Sequence, residues 1–226
     1  MEDQRNNQAS APEPTDSIRG AGAHPSILEL PRIILASGSP RRAEILKTVN
    51  WPFKVISPDI DETRYANEDA VTYVQRLALA KAEAVAQRVT GSPIVAADTT
   101  VVIAEQILEK PSDQDDARRM LRQLSGQWHQ VITGVVLMDS STSESRVACE
   151  TTEVKFATLS PDEIEWYVSS GEPMDKAGAY AIQGLGARFV EGIRGDFFNV
   201  MGLPVRLLYE MVQELAPDGA RTSLSA

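Results

Sequence analysis

The segment Ser37-Gly38-Ser39-Pro40-Arg41-Arg42 has the residue types of a phosphate-binding loop. It lies between a strand candidate and a helix candidate, where backbone N–H groups and the positive end of the helix dipole favour an anion. The hydroxyls of Ser37 and Ser39 add donors, and the guanidinium of Arg41 suits bidentate contact with phosphate. The segment also fits a capped helix with two surface arginines. It lacks the Gly-Lys-Ser/Thr of a Walker loop.

Two acidic segments have the side chains to bind a divalent cation or to accept a proton. Asp98 follows the apolar run Ile94-Val95-Ala96-Ala97, and ligand sites in α/β sheets favour the carboxyl ends of strands. A carboxylate there can hold a metal or activate water, although an Asp that caps the next turn is the more ordinary use of this tetrapeptide. The run Asp59-Ile60-Asp61-Glu62 suggests a metal site, whereas such runs more often form solvated loops.

Two lysines and a glycine-rich segment complete the candidates. Lys81 lies on a long helix candidate and Lys110 in Glu109-Lys110-Pro111. Each is an ordinary surface residue unless the fold brings both to one cleft. Residues 178–186 place Gln183 among three glycines, which would let a nucleobase lie against the backbone. The alternative is a loop whose dihedral angles require glycine.

Hydrophobic periodicity predicts the elements that position these residues. The predicted strands cover residues 32–36, 53–57, 93–99, 101–103, 107–108, 128–138 and 147–157, with 101–103 and 107–108 forming a hairpin. The predicted helices cover 40–49, 68–89, 113–124, 160–168 and 204–215, with Ser39 as the cap of the first. Strands alternate with helices first and pair as hairpins later, which indicates a mixed α/β sheet.

Composition excludes several classes of protein. The 226 residues, 42% hydrophobic, can bury one core or one domain with two lobes. A single cysteine, Cys149, excludes an internal disulfide and a Cys-rich zinc site, and two histidines are too few for a His cluster. The net charge of -10 argues against broad nucleic-acid binding. It leaves room for a small anionic ligand in a locally basic pocket.

The sequence predicts the location of the protein and the bounds of its domain. No run has the roughly 18 apolar residues of a membrane span, and the N-terminus lacks a secretory signal pattern. We therefore expect a cytoplasmic protein with one domain over residues 31–217. Residues 1–30 are predicted to be a disordered tail, because their composition cannot offset the entropy of ordering. Residues 218–226 are predicted to be a flexible C-terminal tail.

Five ordered motifs resemble the Maf family over nearly all of residues 32–215. They are residues 35–42, Ala97-Asp98-Thr99, Glu109-Lys110-Pro111, Leu124-Ser125-Gly126 and residues 175–180, with further matches from 182 to 204. Ordered motifs at compatible spacings are far more specific together than any one alone. The resemblance implies a two-lobed α/β fold similar to the inosine-triphosphate pyrophosphatases, with a cleft between the lobes. It also implies hydrolysis of a nucleoside triphosphate to the monophosphate and pyrophosphate.

The resemblance implies roles for individual residues and a divalent cation as cofactor. Asp98 would be the base that activates water, and Glu62 and Asp98 would bind the metal. Because these ligands are oxygen donors, Mg²⁺ or Mn²⁺ is expected rather than zinc. The residues expected to contact substrate phosphates are Ser37, Ser39, Arg41, Arg42, Lys81 and Lys110. The positions linked to base selection are Arg41, Thr99 and Gln183.

The identity of Gln183 favours the branch of the family that acts on dTTP and UTP. The branch that acts on 7-methyl-GTP tends to have an acid there, which suits a cationic base. We expect Thr99 or a nearby backbone group to lock the Gln183 amide. A 7-methyl-GTP-type pyrophosphatase and a nucleotide-binding regulator of cell division are the alternatives. The expected partner is a small nucleoside triphosphate, and a homodimer is an expectation from the family alone.

Overall fold

The strands form one mixed sheet in the computed structural model, which describes residues 30–215. Their bounds are β1 Ile33–Ala36, β2 Phe53–Val55, β3 Pro93–Ile103, β4 Gln106–Leu108, β5 Trp128–Asp139, β6 Ser145–Phe156 and β7 Val190–Arg194. The strand order is β2-β1-β3-β5-β6-β7, and β4 pairs with β3 beside this path. β1 is parallel to β2 and β3, whereas the other pairs are antiparallel. This arrangement confirms the predicted mixed α/β sheet.

Helices and short 3₁₀ turns cover the sheet. The helices are α1 Pro40–Thr48, α2 Ala70–Ala86, α3 Gln114–Leu124, α4 Pro161–Ser169, α5 Phe197–Met201 and α6 Val205–Leu215, and the 3₁₀ turns are Glu172–Asp175, Ala177–Ala179 and Leu185–Phe189. Within the described part of the chain, no helix is long and apolar enough to cross a membrane. The predicted N-terminal and C-terminal tails lie outside the described residues, except for Leu30.

The first lobe is built on the parallel part of the sheet. Side chains alternate along a strand, so neighbouring residues of β1 face opposite layers. Leu35 packs in a core with residues of α1 and α6, and Ile34 packs on the other face with residues of α2. The second lobe has its own core, in which residues of α3 and α4 pack against the far ends of β3, β5 and β6. The three long strands therefore join two lobes.

One edge of β3 is left uncovered between these lobes. On that edge, β1 pairs with residues 94–96 and β4 pairs with residues 101–103, so residues 97–100 have no neighbouring strand. The other edge of β3 pairs with β5 from Pro93 to Val102. The gap leaves the middle of a central strand without a strand neighbour on one side, at the point where the two lobes meet.

The predicted division of this segment into two strands, 93–99 and 101–103, is wrong. β3 continues through Asp98 to Ile103 as one strand, and Asp98, Thr99 and Thr100 pair with β5. Residues 98–100 contain no glycine or proline to end the strand, and β-branched threonines favour extended backbone. Asp98 still lies just beyond the carboxyl end of the neighbouring parallel strand, because β1 ends at Ala36, opposite Ala96.

A buried histidine packs in the second lobe. His129 is 2% exposed, and its Nε2 lies 2.9 Å from the hydroxyl of Tyr180. Its ring meets Phe156 edge-on, with centroids 5.1 Å apart. Burial lowers the pKa of His129 from 6.5 to about 4, because the imidazolium would lose its hydration there. The ring is therefore neutral at neutral pH.

We expect His129 to make the fold sensitive to acid. Since its folded pKa lies below its unfolded value, the unfolded chain binds more protons between about pH 6.5 and about pH 4. As the pH is lowered through this window, the free energy of unfolding should therefore fall. The contribution of His129 to this loss is on the order of 3 kcal/mol. Urea unfolding of the wild type and of His129→Phe at several pH values checks this. Equal pH slopes for the two proteins would show that another group is responsible.

Candidate active site

A cleft of about 410 Å³ opens at the uncovered edge of β3. This volume suits a small-molecule ligand. The structure places all of the sequence-predicted candidates in its lining, namely Ser37, Ser39, Arg41, Arg42, Glu62, Lys81, Asp98, Thr99, Lys110 and Gln183. In the acidic run that ends at Glu62, Asp59 and Asp61 do not line the cleft, and Asp61 instead accepts a hydrogen bond from Thr63.

Lys81 links two carboxylates at the floor of the cleft. Its Nζ lies 2.6 Å from Oδ1 of Asp98 and 2.8 Å from Oε1 of Glu62. Lys81 is 5% exposed, because it lies on the face of α2 that packs on the sheet, four residues after Leu77. The interpretation of Lys81 as an ordinary surface lysine is therefore excluded. The cluster brings together a helix, a central strand and a loop.

The two carboxylates have opposite pKa shifts. Burial raises the pKa of Asp98 above its ordinary value, although the positive charges of Lys81 and Arg42 oppose that shift. Burial also acts to raise the pKa of Glu62. The hydrogen bond and charge of Lys81 nevertheless hold this pKa below its ordinary value, with smaller contributions from Lys110 and Arg42. A carboxylate with a raised pKa is the better proton acceptor of the pair.

Arg42 is buried and binds the loop to the rest of the site. Its Nε donates to the carbonyl of Gly202 at 2.7 Å, its Nη1 to Oγ of Ser37 at 3.1 Å, and its Nη2 to Oγ1 of Thr99 at 3.1 Å. Arg42 is 8% exposed, so the alternative in which both arginines lie on the surface is wrong. The guanidinium fixes the start of α1 against β3 and α5.

Ser39 and Thr99 differ from what the sequence predicts. Ser39 is the N-cap residue of α1, but its side chain makes no capping hydrogen bond; its N–H donates to Oγ of Ser37 at 3.1 Å instead. Oγ1 of Thr99 lies 3.0 Å from Oγ1 of Thr133 and accepts from Arg42. Thr99 lines the cleft, but its hydroxyl is engaged by Arg42 and Thr133 rather than by the Gln183 amide, so the expectation that Thr99 locks this amide is wrong. The alternative, a nearby backbone group, stays a prediction.

Arg41 connects the two lobes at the mouth of the cleft. Its Nη1 lies 3.0 Å from Oδ2 of Asp175, which belongs to the second lobe. Lys176 contacts the other oxygen of the same carboxylate. A phosphate group in the cleft could bind Arg41 and Lys176 either alongside the Asp175 carboxylate or in place of it. An anion that enters the cleft would therefore compete with an internal carboxylate.

Gln183 lines the cleft and is the exposed residue of a tight turn. The N–H of Gly184 donates to the carbonyl of Ala181 at 3.2 Å, so Gln183 is the third residue of a four-residue turn. Of the glycines in this segment, Gly178 has a φ of +68°, and a Cβ there would lie 2.8 Å from Val101. Its backbone conformation therefore requires glycine, as the structural interpretation of the segment predicted.

Sequence reasoning did not single out Tyr73 and Glu109, which also line the cleft. The Tyr73 hydroxyl donates to Oε1 of Glu109 at 2.7 Å, and its oxygen lies 3.2 Å from the carbonyl oxygen of Glu62. A signal for Tyr73 existed: it lies two turns before Lys81 on α2 and so shares its face. Glu109 directly precedes Lys110 in a motif that was already noted.

The chemistry of Glu62 and Asp98 fits a divalent cation. Both carboxylates point at one position, which the Lys81 ammonium occupies, and oxygen donors suit Mg²⁺ or Mn²⁺. No group of three or more His, Cys, Asp or Glu side chains that could hold a metal occurs among residues 30–215. Mg²⁺ commonly binds through one or two carboxylates, with the substrate phosphates as further ligands. Two carboxylates are therefore a sufficient protein contribution.

The family profile described as Maf-like protein matches residues 32–215. This chain belongs to the Maf family. Three curated relatives are each named dTTP/UTP pyrophosphatase. The protein from Symbiobacterium thermophilum is 48% identical, over 81% of this chain and 93% of that protein. The proteins from Koribacter versatilis and Halalkalibacterium halodurans are 48% and 51% identical, over 80% and 76% of this chain and 93% and 90% of their own.

A solved structure of the Staphylococcus aureus Ham1 protein aligns with a TM-score of 0.49 and 15% identity. It covers 81% of this chain and 98% of that chain.

Four of the five motifs that resemble the Maf family contribute residues to the cleft. The exception is Leu124-Ser125-Gly126, which ends α3. Gly126 has a φ of +68°, and its N–H donates to the carbonyl of Ala157 at 2.9 Å. This Maf motif therefore serves the second lobe as a turn that requires glycine.

Proposed function

We propose that this protein hydrolyses dTTP and UTP to the nucleoside monophosphate and pyrophosphate. The observation that carries the proposal is the buried Asp98–Lys81–Glu62 cluster, which lies in one cleft with Arg41 and Lys110. The names of the three relatives support the same reaction and the same nucleotides. The cellular result would be the removal of non-standard or excess pyrimidine nucleotides.

In the proposed mechanism, Asp98 orients and deprotonates the attacking water. Lys81 contacts Oδ1 of Asp98, so Oδ2 remains to accept a hydrogen bond from water at the α-phosphorus. Lys81 also favours the ionised form of Asp98 and so opposes the desolvation that raises the pKa of this carboxyl. No covalent intermediate is needed, because a positioned water and a leaving pyrophosphate complete the displacement.

Cationic side chains would bind the triphosphate. Arg41 and Lys110 lie in the lining of the cleft, and so do Ser37 and Ser39, whose hydroxyl groups are further donors at the start of α1. These groups would neutralise charge that moves onto the leaving pyrophosphate. Arg42 would act mainly by holding this loop in place, since its guanidinium already donates to three protein acceptors.

Glu62 and Asp98 would hold a divalent cation together with the phosphates. When bound, Mg²⁺ or Mn²⁺ would supply electrostatic neutralisation of the triphosphate oxygens. Lys81 would move aside or share these carboxylates, which is possible because Glu62 is about half exposed, with 47% of its side chain accessible.

We expect hydrolysis to depend on this cation. EDTA should lower turnover of dTTP by on the order of 10²-fold or more, because the phosphate charge is then incompletely neutralised. Mg²⁺ or Mn²⁺ added in excess of the chelator should restore it. Pyrophosphate release measures both steps, and Glu62→Gln should require a higher Mg²⁺ concentration for half-maximal rate. Full turnover after exhaustive chelation would contradict the assignment of a metal.

Gln183 would select the base. Uracil and thymine have an N3–H donor beside an O4 acceptor, and a glutamine amide can pair with both. Cytosine has the reverse pattern, and 7-methylguanine is cationic, which would suit an acid better than an amide. A buried mismatch leaves polar groups unpaired and lowers kcat/KM.

The remaining proposals concern the whole molecule. We place one catalytic domain at residues 31–217, with tails at 1–30 and 218–226, and we place the protein in the cytoplasm. The net charge of -10 favours a free nucleotide over nucleic acid as partner. Family membership suggests a homodimer.

A nucleotide panel tests the proposed function. Purified protein with Mg²⁺ should release pyrophosphate from dTTP and UTP at least tenfold faster, by kcat/KM, than from CTP, GTP or 7-methyl-GTP. A preference for 7-methyl-GTP would identify the sister activity instead. Nucleotide binding without any turnover would favour the regulator and contradict the proposed enzyme.

A further inference from the structure

The turn that carries Gln183 is fixed at both ends by one pair of side chains. Before the turn, the N–H of Ala181 donates to the hydroxyl oxygen of Tyr167 at 3.0 Å. After it, the N–H groups of Leu185 and Gly186 donate to Oε2 and Oε1 of Glu172 at 3.0 and 3.1 Å. The Tyr167 hydroxyl itself donates to Oε1 of Glu172 at 2.8 Å. We define Tyr167 and Glu172 as the turn clamp.

The clamp is built on the packed core of the second lobe. Tyr167 is fully buried on α4, and its ring meets Phe189 edge-on with centroids 5.1 Å apart. Glu172 starts the following 3₁₀ turn. Burial acts to raise the pKa of Glu172, but the N–H groups of Leu185 and Gly186 and the Tyr167 hydroxyl hold it below its ordinary value, so the carboxylate is ionised at neutral pH.

Two glycines after Gln183 are explained by the close approach of the clamp. A Cβ at Gly184 would lie 2.3 Å from Oε2 of Glu172, and a Cβ at Gly186 would lie 2.7 Å from the Tyr167 hydroxyl oxygen. Gly184 has a φ of -111°, and neither glycine has a positive φ. Their backbone conformations are therefore open to other residues, and it is the space beside the clamp that requires glycine.

We infer that Tyr167 and Glu172 are positioning residues that set base choice by holding the turn of Gln183. Neither side chain lines the cleft, so their effect must pass through the backbone of residues 181–186. Gln183 itself is exposed, and the position from which its amide reaches a base is set by the backbone of the turn. This inference rests on the proposed function, in which Gln183 selects the base. The turn clamp would fix the backbone position from which Gln183 does so.

The effect should appear in selectivity and KM rather than in turnover. Glu172→Gln keeps the size of the side chain but turns one acceptor oxygen into an NH₂ group, which cannot accept from a backbone N–H. Tyr167→Phe removes only the hydroxyl. Each variant should reduce the ratio of kcat/KM for dTTP over dCTP by on the order of tenfold, mainly through a higher KM for dTTP. Because the Asp98 cluster is untouched, kcat on dTTP should stay within about threefold.

The experiment compares these variants with Glu191→Gln, the same substitution at an exposed position of β7. Thermal melting confirms that each protein is folded, and calorimetry gives the ratio of Kd for dCMP over dTMP without any need for turnover. We expect this binding ratio to fall about tenfold in Glu172→Gln and Tyr167→Phe, and to stay at the wild-type value in the control.

The kinetic ratio, kcat/KM for dTTP over dCTP, and the binding ratio, Kd for dCMP over dTMP, distinguish failure of the proposed function from failure of this inference. If the wild type hydrolyses no nucleotide, the proposed function is wrong, and the dCMP/dTMP ratio still decides the inference. If both clamp variants are folded and keep the wild-type ratios, or if the wild type shows no preference between the bases, the inference is overturned while hydrolysis stands on its own.

Discussion

Replacing Asp98 with Asn should lower kcat for dTTP by on the order of 10²-fold or more. The amide keeps the shape of the side chain and can still accept a hydrogen bond from Lys81 through its oxygen, which lies 2.6 Å from Nζ in the native carboxylate. It cannot take a proton from water. The Kd for dTTP measured without divalent metal should change little, because Arg41 and Lys110 are unaltered. Pyrophosphate release and calorimetric binding of dTTP measure the two effects.

A matched control separates loss of the base from loss of negative charge. Asp59→Asn makes the same substitution at an exposed residue that does not line the cleft, and it should retain wild-type kcat. A second check is the pH profile: since burial raises the pKa of Asp98, kcat/KM should fall with acid at a pH above the ordinary value for Asp. Near-normal turnover by Asp98→Asn would remove this residue from the mechanism.

Replacing Lys81 with Met should damage both catalysis and stability. Lys81 and Asp98 form a buried ion pair, with side chains only 7% and 11% exposed. Removing the cation leaves a carboxylate in a poorly solvated position, and losing one partner of such a pair costs about 3 kcal/mol of unfolding free energy. Turnover should fall by on the order of 10²-fold, because Asp98 then takes up a proton more readily.

A double variant tests this explanation. Lys81→Met combined with Asp98→Asn should recover much of the lost unfolding free energy, since the uncompensated charge is gone, but it should remain inactive. In Lys81→Met alone, the folded pKa of Asp98 rises further above its unfolded value. The loss of stability should therefore be largest at neutral pH and shrink as acid protonates Asp98.

Lys54→Met, at an exposed position of β2, is the control for the loss of a lysine. Urea unfolding supplies the free energies for each of these proteins. The account is wrong if the double variant is less stable than Lys81→Met.

Local sequence patterns identify the elements of this fold better than their exact ends. The α/β alternation, the hairpins and the capping box of Ser160 and Glu163 follow from residues within a few positions of each other. The continuation of β3 past Asp98 does not, because the partner strand β5 supplies its ladder from 28 to 34 residues along the chain, from Val102↔Gln130 to Thr99↔Thr133. β7 is a similar case: Gly192 disfavours a strand locally, and pairing with β6 overrides this preference.

The candidate site shows the same limit. The motifs identify the residue types of a phosphate site, but not that Lys81 is buried between Asp98 and Glu62, since these side chains come from three separate elements. Helical period places Lys81 on the apolar face of α2, yet burial of an ammonium depends on carboxylates that only the fold supplies. The turn clamp has no sequence signal, because Glu172 acts on backbone N–H groups 13 and 14 residues away.

The position of water attack tests the proposed reaction most directly. Hydrolysis of dTTP in ¹⁸O-labelled water, with Mg²⁺, should place one ¹⁸O atom in dTMP and none in pyrophosphate, because Asp98 directs water to the α-phosphorus. Mass spectrometry of the two products reads the label. Label in the pyrophosphate, or release of orthophosphate as the first product, would show attack at another phosphorus and contradict the proposed pyrophosphatase.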